Sequence, residues 1–249
     1  MIHSFLLIGQ SNMAGRGLLD EAIPVDNTHI KVLRNGRWQK MFRPVNPDRR
    51  ASGVNLAESF AEAYAAKHGV DVGLIPCADG GTQIAQWAPG SLLFDNAVYQ
   101  ARLAMRTSHI VGILWHQGES DSQNDRYITY GSKLEDMLTA LRQTLRLTDV
   151  PVILGGLGAY LDDYTKDDLG QWSRINQQLQ DLADREPLYG FVSAEGLRPN
   201  PDNLHFCSAA LHQFGLRYFE EFERLADPAR VYEEKPDPDD ALRTELDAL

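Results

Sequence analysis

The sequence predicts a three-layer α/β/α sandwich with a doubly wound, parallel, five-stranded sheet. Five short apolar runs alternate with longer amphipathic stretches, and each run is apolar nearly throughout, as in strands that helices cover on both faces. Parallel strands joined by helices require right-handed crossovers, which place helices on either side of the sheet. The predicted strands are Ser4–Ile8, Val72–Pro76, Ile110–Trp115, Val150–Leu154 and Leu188–Val192.

Helical periodicity fills the intervals between these strands. The clearest case has apolar pairs at a spacing of three and four residues, which puts one apolar face on the sheet: Leu56/Ala57, Phe60/Ala61 and Tyr64/Ala65. Further helical patterns cover about Leu92–Arg106, Ile128–Leu147, Trp172–Asp184 and Ser208–Phe222.

The segment Lys31–Met41 departs from the alternation. Its Asn35-Gly36 pair favours a type I′ hairpin turn, so we interpret the segment as an insertion after the first strand.

Length and composition fit one globular domain followed by an acidic tail. The chain has 249 residues, of which 43% are apolar and 24% charged, so it is long enough to bury a core. We assign residues 1–226 to the domain and residues 227–249 to the tail, where prolines end the regularity. The tail holds eight acidic and three basic residues, and thus −5 of the net charge of −11. This balance argues against a nucleic-acid partner and against an anionic membrane surface.

Cysteine content and the N-terminal segment predict a cytoplasmic location. Cys77 and Cys207 are too few for a disulfide framework, and Cys77 follows an apolar run in which a buried thiol is expected. The apolar stretch Ile2–Ile8 is short and has no basic leader, and no segment approaches the length of a membrane span.

Two of the predicted strands end in glycine-rich turns. Ligands of open parallel sheets bind at the carboxyl ends of the strands, so these turns are where a site is expected. The first is GQSNMAGRG (residues 9–17), which exposes Ser11 on a tight strand-to-helix turn; a serine there is also a common helix cap. The second is DGGT (residues 79–82), whose glycines allow the backbone to approach a ligand.

Two polar segments complete the set. WHQGESD (residues 115–121) follows the third strand, and its Gln117 amide is a donor for a developing oxyanion. DNLH (residues 202–205) precedes the last helix, and its spacing allows Asp202 to orient His205 as a base toward a serine. Nucleophile, base, acid and oxyanion donors together point to acyl transfer.

At these four segments the sequence resembles the SGNH hydrolases, which have a flavodoxin-like fold, and within them carbohydrate esterase family six and the sialate O-acetylesterases. The match runs from about Ile2 to Phe222. It implies a serine esterase that removes acetyl groups from a carbohydrate, with residues 1–226 as the catalytic domain. It implies Ser11 as nucleophile, His205 as base and Asp202 as its partner. The implied oxyanion hole consists of the N–H groups of Ser11 and Gly81 and the Gln117 side chain.

Gln117 departs from the asparagine that the wider superfamily has in its third block, although it matches this branch. Four further residues are candidates for substrate contact or for support of the site: Asn12, Arg16, Trp87 and Glu119. Trp87 is either a sugar-stacking residue or a core residue, and for Arg16 we expect a surface position. The role of Glu119 stays open.

Two other classes of function compete with the esterase. One is a carbohydrate-binding protein that keeps the pocket without catalysis, against which the intact serine, aspartate and histidine set argues. The other is a metal-dependent hydrolase centred on His116 and Glu119, with Asp121 nearby; the spacing matches no recognised ligand pattern. We therefore expect no cofactor and no metal. His116 is expected to pack in or support the site.

Overall fold

A computed structural model describes residues 1–236 and shows a mixed α/β fold built on a seven-stranded sheet. The order is β3-β2-β4-β1-β5-β6-β7, and every neighbouring pair is parallel except β2 and β3. The strands are β1 (Ile2–Gly9), β2 (Ile30–Arg34), β3 (Arg37–Lys40), β4 (Asp71–Pro76), β5 (His109–His116), β6 (Val152–Gly155) and β7 (Tyr189–Val192).

The predicted count of five strands is wrong, because the hairpin segment belongs to the sheet. β2 and β3 form the expected hairpin around Asn35 and Gly36, but β2 also pairs in parallel with β4. This pairing satisfies backbone groups that would otherwise leave β4 as an open edge.

Six α-helices accompany the sheet in the described residues, and alternate side chains of β1 show that helices cover both faces. Leu6 and Ile8 contribute to one apolar cluster, with residues of α3, α4 and α5, whereas Phe5 and Leu7 contribute to a second cluster with α2 and α6. The helices are α1 (Ser11–Ala14), α2 (Ala57–His68), α3 (Leu92–Ala104), α4 (Tyr130–Leu145), α5 (Trp172–Arg185) and α6 (Ser208–Leu225).

The described part of the tail packs against the amino ends of the strands. Lys235 Nζ donates to the backbone oxygens of Met105 and Ser108, and the Tyr232 ring contacts the His3 and His109 rings. The rest of the predicted tail lies outside the described residues. Cys77 and Cys207 are free thiols. Within residues 1–236, the α-helices are all too short or too polar to cross a membrane.

The strand order places a crevice at the carboxyl end of β1. After β1 the chain forms β2, β3 and β4 on one side of this strand and then crosses to β5 on its other side. The strand order therefore reverses direction at β1. Such a switch point is where open α/β sheets bind ligands.

Candidate active site

The turn after β1 brings Ser11 to the carboxyl edge of the sheet. Gly9 has φ +137°, and a Cβ at this position would lie 2.1 Å from the backbone oxygen of His116. Only glycine fits this approach, because an L side chain would be strained and would overlap the neighbouring strand. The Gln10 N–H donates to the same oxygen at 2.9 Å, and Ser11 then begins helix α1.

Ser11, His205 and Asp202 form a continuous chain of contacts. The Ser11 Oγ lies 3.0 Å from His205 Nε2, and His205 Nδ1 lies 2.7 Å from Asp202 Oδ2. The other Asp202 oxygen accepts the backbone N–H groups of Leu204 and His205, at 2.9 and 3.0 Å. The structure therefore brings together the three residues predicted as nucleophile, base and acid.

Electrostatics keep Asp202 ionised near neutral pH. Partial burial opposes its ionisation, but the hydrogen bonds from the His205 ring and from two backbone N–H groups outweigh burial and lower the pKa of Asp202 to about 2. A carboxylate in this position holds the imidazole with Nε2 directed toward Ser11.

Ser11 and His205 line an open cavity of about 460 Å³. Gly81 lines it too; its φ is +79° and the space around it is open. Within residues 1–236, the backbone N–H groups of Ser11 and Gly81 donate to no protein acceptor. Both N–H groups are therefore available to a ligand in the cavity, and their role as oxyanion donors stays a prediction.

Arg16 is buried at the wall of the same cavity, next to the glycine turn, which corrects the expected surface position. Its side chain is buried and makes a two-pronged ion pair with Asp48, at 2.9 and 2.7 Å. Asp48 also accepts the Gly80 N–H at 2.8 Å, next to Gly81. Sequence reasoning missed Asp48, because nothing in its local pattern links it to a turn 32 residues later.

Gln117 does not present its amide to the cavity. The side chain is fully buried, and Nε2 donates to Gln10 Oε1 at 3.1 Å, to the Thr82 backbone oxygen at 3.0 Å and to Asp121 Oδ2 at 2.6 Å. These contacts use both amide hydrogens and do not support the oxyanion role predicted for Gln117.

Asn12 ties the nucleophile turn to the backbone on both sides of His205. Its Nδ2 donates to the Leu204 oxygen at 3.3 Å, and its Oδ1 accepts the Phe206 N–H at 3.1 Å. The second Nδ2 hydrogen goes to Glu119 Oε1 at 2.5 Å. We call Asn12 and Glu119 the histidine clamp, since together they fix the loop that carries His205.

His116 packs against Phe206 and Phe214, which confirms the expected packing role. Its Nε2 lies 3.3 Å from Glu119 Oε1. Burial opposes the ionisation of Glu119, but His116 and the hydrogen bond from Asn12 outweigh it, so the pKa of Glu119 is lowered.

Trp87 is a core residue and does not face a sugar. It is 1% exposed and packs edge-on against Trp115, so stacking on a ligand is excluded in this structure. The aromatic side chain that lines the cavity is Tyr164. No sequence pattern identifies Tyr164, because it lies in an irregular segment between β6 and α5.

The described residues contain no group of three or more histidine, cysteine, aspartate or glutamate side chains arranged to hold a metal ion. His116 and Glu119 contact each other, while Asp121 accepts hydrogen bonds from Gln117 and from the Ile84 N–H at 2.8 Å. The three candidate ligands therefore do not converge on one point.

Fold and site together define an α/β protein with a serine–histidine–aspartate constellation at the switch point of its sheet. Comparison with known proteins then identifies the family. Residues 1–224 match the family described as carbohydrate esterase, sialic acid-specific acetylesterase. A probable carbohydrate esterase of Arabidopsis thaliana is 30% identical over 238 residues, covering 85% of this chain and 86% of the relative. The chain belongs to this carbohydrate esterase family, whose members hydrolyse carbohydrate esters.

Solved structures show the same fold. An Arabidopsis thaliana protein superposes with a TM-score of 0.80 at 28% identity, over 90% of this chain and 99% of the other. NanS matches with a TM-score of 0.68 at 19% identity, over 90% and 97%. A carbohydrate acetylesterase from Xanthomonas citri also gives 0.68, at 17% identity, over 90% of this chain and 56% of the other.

Proposed function

We propose that the protein is a serine esterase that removes O-acetyl groups from a carbohydrate through an acyl-enzyme. The observation that carries this proposal is the chain of contacts from Ser11 through His205 to Asp202, at the wall of an open cavity beside two free backbone N–H groups. The cavity of about 460 Å³ is of a size that takes a small molecule.

The geometry supports a two-step mechanism. Ser11 Oγ attacks the acetyl carbonyl carbon while His205 Nε2 takes its proton, and the carbonyl electron pair moves to the oxygen. The tetrahedral intermediate then breaks its bond to the sugar oxygen, which leaves with the proton from His205. Water, activated by the same imidazole, attacks the acetyl group on Ser11, and acetate leaves with Ser11 restored.

The test is the hydrolysis of a small aryl acetate by the wild type and by Ser11→Ala, each with and without a chelator. We expect activity that survives chelation and falls about 10⁶-fold in Ser11→Ala. Acetate release from acetylated sugars, including an acetylated sialic acid and an acetylated xylan fragment, then identifies the substrate class. Equal rates in both proteins would remove Ser11 from the mechanism, and loss on chelation would favour a metal-dependent hydrolase.

A further inference from the structure

Both backbone polar groups of Gly80 are held by neighbouring residues of another segment, the connection between β3 and α2. The Gly80 N–H donates to Asp48 Oδ2 at 2.8 Å, and the Gly80 oxygen accepts from Arg49 Nη2 at 3.1 Å. Glycine has no Cβ to restrict its backbone, so its conformation depends more than that of other residues on contacts of this kind. Asp48 and Arg49 together fix the backbone that leads into Gly81.

The contact from Arg49 sets the direction of the Gly81 N–H. Gly80 and Gly81 share a trans peptide group, in which the oxygen and the N–H point in opposite directions. Because the oxygen faces Arg49, the N–H points away from it. Gly81 lines the cavity that holds Ser11, whereas Arg49 does not. The hydrogen bond from Arg49 therefore keeps the Gly81 N–H on the cavity side of the peptide group.

The Asp48 contact ties the same backbone to the nucleophile turn. Both Asp48 oxygens accept from Arg16, and Oδ1 also accepts from Ser52 Oγ at 2.8 Å. Burial opposes the ionisation of Asp48, but its hydrogen bonds, first those from Arg16, outweigh burial and lower the pKa of Asp48. A Cβ on Gly80 would lie 2.5 Å from Arg16 Nη2 and 3.4 Å from Ser11 Cβ. The ion pair thus packs against the backbone beside the nucleophile.

Arg49 is itself held in place. Its Nη2 lies 2.7 Å from Asp79 Oδ1, and its Nη1 donates to the Asp48 backbone oxygen at 2.9 Å. The guanidinium is planar and carries five N–H donors, so it can make these contacts and hold the Gly80 oxygen at the same time.

We propose that Arg49 is a positioning residue for ester hydrolysis, which fixes the peptide group between Gly80 and Gly81 so that the Gly81 N–H meets the oxyanion as it forms. Arg49 does not line the cavity, so it acts through the backbone. A donor that is fixed before the charge develops needs no reorganisation when the charge appears. Without Arg49 the peptide group is free to rotate, and its N–H is misplaced for part of the time. This inference rests on the proposed serine esterase function.

The first test is Arg49→Ala, which should fold because the Arg49 side chain is 53% exposed. We expect kcat for an aryl acetate to fall about 10- to 10²-fold with KM changed less than about threefold, because a misplaced donor weakens mainly the transition state. The matched control is Arg50→Ala. Arg50 is also exposed and, within residues 1–236, makes no hydrogen bond to the glycine turn. Its removal should change kcat less than about twofold, because salt screens exposed charges.

A boronic acid that forms a tetrahedral adduct with Ser11 reports on the oxyanion site without turnover. Its affinity should weaken in Arg49→Ala by the same factor as kcat/KM and stay unchanged in Arg50→Ala. In ¹⁵N-glycine-labelled wild type, the Gly81 amide proton should move downfield when the adduct forms, and it should move less in Arg49→Ala. A role in folding alone would lower the thermal midpoint but leave the affinity and the Gly81 signal of the folded protein unchanged.

Wild-type kcat and boronic acid affinity in Arg49→Ala would overturn the inference. Equal losses in Arg50→Ala would also overturn it, since they would show an effect of charge rather than of the contact with Gly80. The two proposals fail separately. Full activity in Ser11→Ala would remove the esterase mechanism itself, whereas a Ser11-dependent enzyme that tolerates Arg49→Ala would remove only the role of Arg49.

Discussion

Two histidine–carboxylate pairs lie near Ser11, and they differ in how deeply they are buried and in which residue they contact. Asp202 and His205 are three positions apart, their side chains are 43% and 17% exposed, and the imidazole lies 3.0 Å from Ser11 Oγ. His116 and Glu119 are also three positions apart, but their side chains are only 0% and 3% exposed, and Glu119 contacts Asn12. One pair faces the nucleophile, and the other supports the loop that carries the first.

Sequence spacing alone therefore does not assign a role to a histidine–carboxylate pair. A general base must reach the nucleophile and exchange protons with substrate and water, which suits the partly exposed His205. A buried carboxylate with a lowered pKa serves better as a fixed acceptor, and Glu119 holds the Asn12 amide in that way.

The two histidines are compared by replacing each imidazole separately, and the loss of His205 is expected to be the greatest of all. His205→Ala should lower kcat about 10⁶-fold without loss of folding, because the base is removed. His116→Ala should lower kcat by less than about 10²-fold, while its thermal midpoint falls because a buried ring packed on Phe206 and Phe214 is lost. Steady-state kinetics and thermal unfolding of both variants check this; similar kinetic losses would refute the division of roles.

The carboxylates provide the next comparison. Asp202→Asn should lower kcat about 10⁴-fold, because the amide no longer holds the imidazole in the productive tautomer. Glu119→Gln should cost about tenfold or less, because a glutamine oxygen still accepts from Asn12. The matched pair is measured on one aryl acetate. A greater loss in Glu119→Gln than in Asp202→Asn would make the buried pair the catalytic one.

Sequence alone predicted the α/β class, five of the seven strands and the convergence of Ser11, His205 and Asp202. The sequence predictions failed where contacts between residues far apart in the chain determine the structure. The edge pairing of β2, the burial of Trp87 and the ion pair between Arg16 and Asp48 depend on neighbours far away in the chain. Gln117 shows the same limit, because it was identified as a donor by its residue type, whereas two of its three acceptors, Gln10 and Thr82, lie on other segments.

A smaller effect is expected from opening the histidine clamp. Asn12→Ala removes the hydrogen bonds that flank His205, and a base displaced by about 1 Å costs roughly 10²-fold in kcat. Asp202 moves with His205, because it also binds the backbone of that loop. The pH–rate profile should therefore keep its shape while kcat falls and KM changes little. A shift in the acid limb of the pH–rate profile of Asn12→Ala would contradict this separation.

The weakest effect that we predict concerns folding stability: the ionised Asp202 side chain should make the free energy of unfolding depend on pH. Its pKa is about 2 in the folded protein against an ordinary value of 3.8, so the carboxylate stabilises the fold above about pH 4 and this contribution is lost as the pH falls toward 2. Because the side chain is 43% exposed, solvent screens the interaction and the effect is smaller than the pKa shift alone implies. Urea unfolding of the wild type and Asp202→Asn should show a stability difference at about pH 6 that shrinks toward about pH 2.5. A difference that stays constant over this range would mean that the ionised Asp202–His205 contact contributes nothing to stability, and that the exposed pair serves catalysis alone.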